Sequence, residues 1–243
     1  MQKYSGQKIK DFLVDLLFPK FCLGCNIEGT YLCEDCKAAL DILQFSYCLC
    51  NKNPLRLPEA GKCGKCRSKK LSGLFYALPY QENPLTKKLI HQFKYPPYIK
   101  ELSRPLSELI IEHFSLLNKG WQKVLENAVL IPVPLDKKKM KRRGFNQAEE
   151  IARNLSEILK IPLISNNLIK IKKTLPQVEL SEKEREENIK NAFLCRNPEE
   201  IKKKKILLID DVYTTGSTME ECARVLKTAG AKEVWGVAVT REG

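Results

Sequence analysis

The chain has 243 residues, 43% of them apolar, and its 42 Lys and Arg against 29 Asp and Glu give a formal net charge of +13. This length and apolar content support a sizeable core and fit one medium domain with a small module attached. No apolar run approaches the roughly 18 residues that a membrane span needs. The positive balance favours a polyanionic partner such as nucleic acid, pyrophosphate or an anionic lipid surface. Much of that charge is diffuse lysine, so it names a class of partner and no more.

In chain order, Ile9, Phe12, Leu13, Leu16 and Leu17 fall at helical spacing and predict an amphipathic helix within residues 1–20. Packing on the neighbouring module is its expected role, and peripheral contact with a membrane surface is the competing one. Asp11 and Asp15 interrupt the apolar run and no small-residue cleavage site follows it. A secretory signal is therefore not expected, and the chain reads as cytoplasmic.

Residues 21–72 hold eight of the ten cysteines: Cys22 and Cys25, Cys33 and Cys36, Cys48 and Cys50, Cys63 and Cys66. A Cys-x2-Cys turn points two sulfurs at one point, and two such turns complete a tetrahedral thiolate site. The first two pairs predict structural zinc. The third has one intervening residue instead of two, which leaves three readings open: a second zinc, a crossed arrangement that shares pairs, or a decayed site. Large apolar residues are few here, and structural zinc supplies about 10–16 kcal/mol of apparent folding free energy in small modules. Four thiolates leave no open coordination position, so the metal is expected to be structural. Cys195 and Cys222 read as small buried residues, and His91 and His113 lack ligand spacing.

Beyond the module, residues 73–80 predict a strand, 84–93 a helix opened by Pro84, and 99–117 a second helix. Strands follow at 129–135 and 168–171, with a helix at 146–160 between them. Lys202 to Lys205 reads as a solvated loop. Ile206 to Ile209 is a buried strand that runs into Asp210 and Asp211, then into the small-residue loop Thr214-Thr-Gly-Ser-Thr218. A helix from Met219 to Ala229 comes next, with Ser217/Glu220 or Thr218/Glu221 as a capping box. The last strand spans 234–240. Strands alternating with helices imply a parallel α/β sheet. Acids at a strand's carboxyl end, beside a loop that opens a helix, suit a sugar phosphate.

Lys137, Lys138, Lys139, Lys141, Arg142 and Arg143 crowd the connection between the 129–135 strand and the 146–160 helix. A solvated charged loop is the plain reading. Guanidinium forks and lysines also suit pyrophosphate or a nucleic-acid backbone, and the run follows a strand's carboxyl end as the acid pair does.

Residues 206–218 resemble the phosphoribosyl pyrophosphate (PRPP) loop of type I phosphoribosyltransferases, except that Tyr213 stands where that loop usually carries an aliphatic residue. The resemblance implies that Asp210 and Asp211 hold the ribose hydroxyls, and that Thr214, Thr215, Gly216, Ser217 and Thr218 hold the 5′-phosphate. Leu89-Ile-His-Gln-Phe-Lys-Tyr95, Ile131-Pro-Val-Pro134, Arg142-Arg-Gly-Phe-Asn-Gln147 and Thr174…Gln177…Arg185…Asn188…Ala192-Phe193 occur in that order. With the cysteine module and the loop, they look like the ComF family of competence-associated, phosphoribosyltransferase-like proteins. The likeness runs from Phe18 onward, and the Cys48-x-Cys50 spacing is its main departure.

The family resemblance implies a type I phosphoribosyltransferase-like domain over 73–243 and a mobile loop over 172–188 that closes over substrate. It further implies Mg²⁺ with PRPP, a pyrophosphate held by Lys141, Arg142 and Arg143, and a role in DNA uptake. Single-stranded DNA and a helicase-like competence protein are the implied partners, with Lys137, Lys138, Lys139 and Lys141 as candidates for nucleic acid. Two alternatives stay open: an active phosphoribosyltransferase for an unidentified base, and a non-catalytic PRPP-sensing module that binds DNA or protein. No base-binding hood motif is recognisable, which disfavours an ordinary salvage enzyme.

Overall fold

A computed structural model describes residues 18–51, 53–117, 120–172 and 182–242. The amphipathic helix expected upstream of Phe18 and the centre of the expected mobile loop, 173–181, lie outside these residues.

The described chain first folds around its cysteines. The Cys22 N–H donates to Ile27 O, and Asn26 takes a left-handed φ of 64° to close the turn. Gly24 is demanded there, because a Cβ would come within 2.5 Å of Cys36 Sγ. Helix α1 (Glu34–Ala38) starts on Cys33, whose Sγ accepts from the Cys36 N–H. Strands β1 (Ser46–Tyr47) and β2 (Arg56–Leu57) pair antiparallel and carry the chain to a 3-10 turn at Gly64–Cys66.

β3 (Gly73–Pro79) then enters the main sheet, followed by α2 (Pro84–Lys94), whose cap is the Asn83 side chain. The helix expected over 99–117 is divided into a 3-10 turn at Lys100–Leu102 and α3 (Ser103–Leu116). Pro105 explains the division. It has no N–H to donate, which an interior position of one long helix would need, and in α3 it falls in the first turn, where none is required. After α3 come α4 (Trp121–Leu125), β4 (Ala128–Pro132), α5 (Lys137–Arg143) and α6 (Gln147–Leu159). They are followed by β5 (Leu168–Lys170), α7 (Glu182–Ile189), β6 (Phe193–Cys195), β7 (Lys205–Tyr213), α8 (Ser217–Thr228) and β8 (Glu233–Arg241). Among the described residues no helix is long and apolar enough to cross a membrane.

The main sheet has the order β3-β8-β7-β4 and is parallel throughout. Its strands are apolar on both sides because helices cover both faces. Phe75, Leu207, Ile209 and Val237 face Leu89, Phe93, Leu106, Ile110, Ile151 and Leu155 of α2, α3 and α6. Their neighbours Leu74, Ile206, Leu208 and Val234 join Met219, Cys222 and Leu226 of α8 and Phe193 of β6 on the other face.

The cysteine module straddles the β3 edge. Leu32 and Leu40 belong to the first apolar cluster, Leu49 and Leu71 to the second. The Leu43 N–H donates to Ala77 O at 2.9 Å, on the side of β3 away from β8. The expected α/β architecture, a parallel sheet flanked by helices with a cysteine-rich module at its side, is the one observed.

Candidate functional site

The eight clustered cysteines resolve into two groups of four. Cys22, Cys25, Cys33 and Cys36 form one and Cys48, Cys50, Cys63 and Cys66 the other, with the sulfurs of each group all within 4.8 Å of one another. Pairs are not crossed between the groups, which removes the shared-pair reading from the three left by the short Cys48-x-Cys50 spacing. Individual separations are 3.6 Å for Cys22–Cys33, 3.5 Å for Cys25–Cys33, 3.5 Å for Cys50–Cys63 and 3.6 Å for Cys63–Cys66. A tetrahedral metal–thiolate centre with bonds of about 2.3 Å sets its sulfurs about 3.8 Å apart, so both groups could hold a metal ion. The isolated cysteines differ: Cys222 is fully buried, whereas Cys195 is partly exposed and its thiol donates to Asn167 Oδ1 at 3.2 Å.

In the main sheet β7, an inner strand between β8 and β4, does not stop at its apolar run. It continues to Tyr213, so Asp210 and Asp211 are strand residues near its carboxyl end, with Asp210 in register with Ala238. Asp211 is only 5% exposed, and its Oδ1 lies 3.0 Å from Lys94 Nζ. Asp210 accepts from the Asp211 N–H at 2.9 Å. Burial, and next the neighbouring Asp211 charge, push the Asp210 carboxyl up to about 8. Burial disfavours the Lys94 charge, yet Asp211 and Asp210 outweigh it and hold the ammonium above its ordinary pKa.

The loop after β7 turns on Gly216, whose φ of 77° is left-handed. A Cβ there would overlap the ring and hydroxyl of Tyr213. Gly216 also occupies the N-cap of α8, and neither expected capping box forms. Glu220 instead accepts from the backbone N–H groups of Lys70 and Leu71, the latter at 3.2 Å. Glu221 pairs with Arg224 at 2.7 Å and accepts from the Asn191 N–H at 2.7 Å. Both glutamates thus serve distant segments; the Ser217 N–H makes a long 3.5 Å contact to Thr215 Oγ1, and the Glu220 N–H donates to Gly216 O at 2.8 Å. The Thr215 and Ser217 hydroxyls bond each other at 2.9 Å.

The basic run is a helix, not the loop expected from its charge. Asp136 caps α5 by accepting from the Lys138 N–H at 2.9 Å, and Gly144 ends it with a left-handed φ of 80°. Helical spacing sorts the cations. Lys138, Lys139, Arg142 and Arg143 line a cleft of about 1020 Å³, together with Lys94, Asp210, Asp211, Thr214, Gly216 and Thr218. Lys137 and Lys141, one turn apart, are exposed and lie off the lining, as do Thr215 and Ser217. Lys141 is therefore not grouped with Arg142 and Arg143, whereas Lys138 and Lys139 are. Burial, then the Arg143 and Lys94 charges, lowers the pKa of Lys139, so an anion entering here relieves cation repulsion.

Two sequence motifs are parts of one support. Arg143 Nη1 donates to Gln147 Oε1 at 2.9 Å, and Gln147 Nε2 donates to Phe93 O at 3.0 Å. Phe145 packs on Phe93 with ring centres 5.7 Å apart, and Asn146 caps α6 while donating to Val133 O at 3.1 Å. The segment that ends in Lys94 and the segment that carries Arg143 are thereby locked together across from the acid pair. His91 stacks on Tyr95 at the cleft, and His113 is buried with Nδ1 against Leu43 O.

Sequence reasoning assigned no role to Lys94 or Arg241, and gave Glu220 only a capping role that it does not fill. Lys94 stands inside the Leu89–Tyr95 motif, which was a usable signal. Arg241 carried none, because its partners are Cys48 O at 2.8 Å and Cys50 O, far away in the chain.

Comparison with known proteins agrees with this geometry. The phosphoribosyl transferase domain family matches residues 140–242. Competence protein F of Haemophilus influenzae is 34% identical over 225 residues, covering 89% of this chain and 96% of that protein. DNA utilization protein YhgH of Escherichia coli is 31% identical over 175 residues, 71% of this chain and 75% of that protein. Competence protein ComFC of Bacillus subtilis is 31% identical over 153 residues, 62% of this chain and 57% of that protein. The chain belongs to the ComF family of competence-associated, phosphoribosyltransferase-like proteins.

Proposed function

We propose that the cleft binds PRPP with Mg²⁺, and that the protein serves the uptake or processing of single-stranded DNA in the cytoplasm beside a helicase-like partner. The observation that carries this reading is the meeting of three features in one cleft: the Asp210–Asp211 pair, the Thr214–Thr218 loop and the inward face of α5. With its pKa near 8, Asp210 holds a proton at neutral pH while Asp211 stays paired with Lys94. The pair then offers one donor and one anionic acceptor to a vicinal diol. The loop amides and hydroxyls suit the 5′-phosphate, and Arg142, Arg143, Lys138 and Lys139 suit the pyrophosphate. Mg²⁺ delivered with PRPP would neutralise pyrophosphate charge, and Asp210, on giving up its proton, would offer a hard carboxylate oxygen to its shell.

In a transfer at this site, an acceptor nitrogen would bond to C1 as the C1–O bond breaks and pyrophosphate leaves with its electron pair. The chain's contribution would be positioning and charge stabilisation. Zinc is the metal proposed for both cysteine groups, since four thiolates and closed tetrahedral spacing suit it. The outward lysines Lys137 and Lys141 are proposed to meet the nucleic-acid backbone. Calorimetric titration of Mg²⁺–PRPP into the zinc-loaded protein and an Asp210→Asn/Asp211→Asn variant tests the central claim. Binding in the range of about 1–100 µM, lost in the variant, is the expected outcome. A folded, zinc-loaded wild type that binds no PRPP overturns it.

A further inference from the structure

Arg241 is 3% exposed, at the end of β8. Among the described residues no carboxylate lies within ion-pair distance of it, and its Nε has no hydrogen-bond partner. A buried guanidinium without a counter-charge is costly. Its Nη atoms donate to the carbonyls of Cys48, at 2.8 Å, and of Cys50, which are members of the second cysteine group. Four thiolates around one Zn²⁺ carry a net charge of about −2 by simple sum of ligand charges, which is the anion this cation lacks. The same guanidinium sits over the Tyr213 ring at 5.4 Å and the Tyr76 ring at 5.5 Å. Tyr213 is 2% exposed, and the space above its hydroxyl is the space a Cβ on Gly216 would need.

A second tie runs in parallel. Glu220, in the first turn of α8, accepts from the N–H groups of Lys70 and Leu71, a few residues after Cys66. Lys69 Nζ in turn donates to Leu49 O at 2.9 Å, between Cys48 and Cys50. Among the described residues the first cysteine group is tied instead to α2, through Lys88 Nζ to Leu23 O at 2.7 Å, and to α3, through Lys37 to Glu112 at 3.4 Å.

We infer that metal held by Cys48, Cys50, Cys63 and Cys66 sets the shape, and hence the anion affinity, of the Thr214–Thr218 loop, with Arg241 and Tyr213 as positioning residues between them. The inference rests on the proposed role of that loop as the phosphate cradle. It also gives a reason for Tyr213 in place of the usual aliphatic residue. An aromatic face is needed to carry Arg241, and its far end props the left-handed turn at Gly216. Thermodynamic linkage makes the coupling reciprocal: what metal does for phosphate binding, phosphate does for metal binding.

The test uses the full chain, zinc-loaded, and reads hydrogen exchange of amides 214–220 by mass spectrometry. Variants are Cys50→Ser/Cys63→Ser, Cys25→Ser/Cys36→Ser, Arg241→Gln and Arg241→Lys. Exchange should quicken about tenfold in the second-cluster variant and in Arg241→Gln, remain at the wild-type rate in the first-cluster variant, and recover in part in Arg241→Lys. In parallel, Mg²⁺–PRPP should slow zinc loss to a chelator from the second cluster and not from the first. Equal quickening in both cluster variants, or none in Arg241→Gln, overturns the inference. Arg241→Gln keeps all eight clustered thiols, so its zinc content separates lost coupling from lost metal. Should wild type bind no PRPP, the proposed ligand fails, while the exchange pattern still decides the coupling.

Discussion

Lys94 Nζ and Asp211 Oδ1 stand 3.0 Å apart on elements from opposite ends of the domain, α2 and β7. The carboxylate is nearly buried and the lysine side chain 22% exposed, so the pair is only partly open to water. Lys94 fills the cationic place beside the acids before any ligand arrives. Breaking a buried pair by removing one partner costs about 3–5 kcal/mol, and the partial exposure brings the expectation for Lys94→Met to about 2–3 kcal/mol. The deficit should be largest near pH 8 and shrink on acidification, because protonation discharges the abandoned carboxylates. Thermal unfolding of both proteins at acidic pH and near pH 8 checks this.

Asp210 gives a pH effect of defined sign. Its folded pKa is raised to about 8 from an ordinary value of 3.8. Across that window the folded state binds the extra proton, so the native protein loses stability as pH rises toward 8. Asp210→Asn removes the charge and keeps the shape. The variant should match wild type near pH 4 and exceed it by on the order of 1–3 kcal/mol near pH 9, read from melting curves at several pH values. A variant less stable than wild type at pH 9 would show that the carboxylate is not the strained group.

The two faces of α5 should separate two kinds of binding. Lys137→Gln/Lys141→Gln should weaken single-stranded DNA and lower the salt slope by about 0.7 per lysine, leaving PRPP affinity intact. Arg142→Gln/Arg143→Gln should instead weaken PRPP by about tenfold or more. Fluorescence titrations with labelled oligonucleotide at several salt concentrations, alongside calorimetry with PRPP, distinguish the faces.

Metal stoichiometry should be two zinc ions per chain by elemental analysis. Cys25→Ser/Cys36→Ser and Cys50→Ser/Cys63→Ser should each retain one. A single ion in wild type would mean that one thiolate group stays empty despite its spacing.

What could be read from the sequence was what is local. The apolar run, the acid pair and the small-residue loop are contiguous, so their order alone indicated a ligand-binding βα turn. The cysteine pairs were legible for the same reason, although the grouping of Cys48 and Cys50 with Cys63 and Cys66 required the fold. The basic run misled because six like charges argue for a solvated loop. Asp136 and Gly144 supply the cap and the stop that make it a helix all the same. Glu220 and Glu221 sat at capping-box spacing, yet the backbone amides of Lys70, Leu71 and Asn191 compete for them and win. The Lys94–Asp211 pair and the Arg241–Cys48 bond join residues that only tertiary structure brings together, and no periodicity announces such contacts.

The Leu43–Ala77 hydrogen bond places the cysteine-rich segment along the outer side of β3, where a further strand would otherwise add. An unguarded edge of this kind recruits strands from other molecules. With zinc in the place proposed for it, a chain made during zinc starvation would lack the staple that holds the guard, and its β3 would be left open before any ligand site is finished. Supply of metal during synthesis should then govern the yield of soluble molecules, and inclusion bodies from chelator-treated cultures should refold into monodisperse protein only when zinc is present as refolding begins.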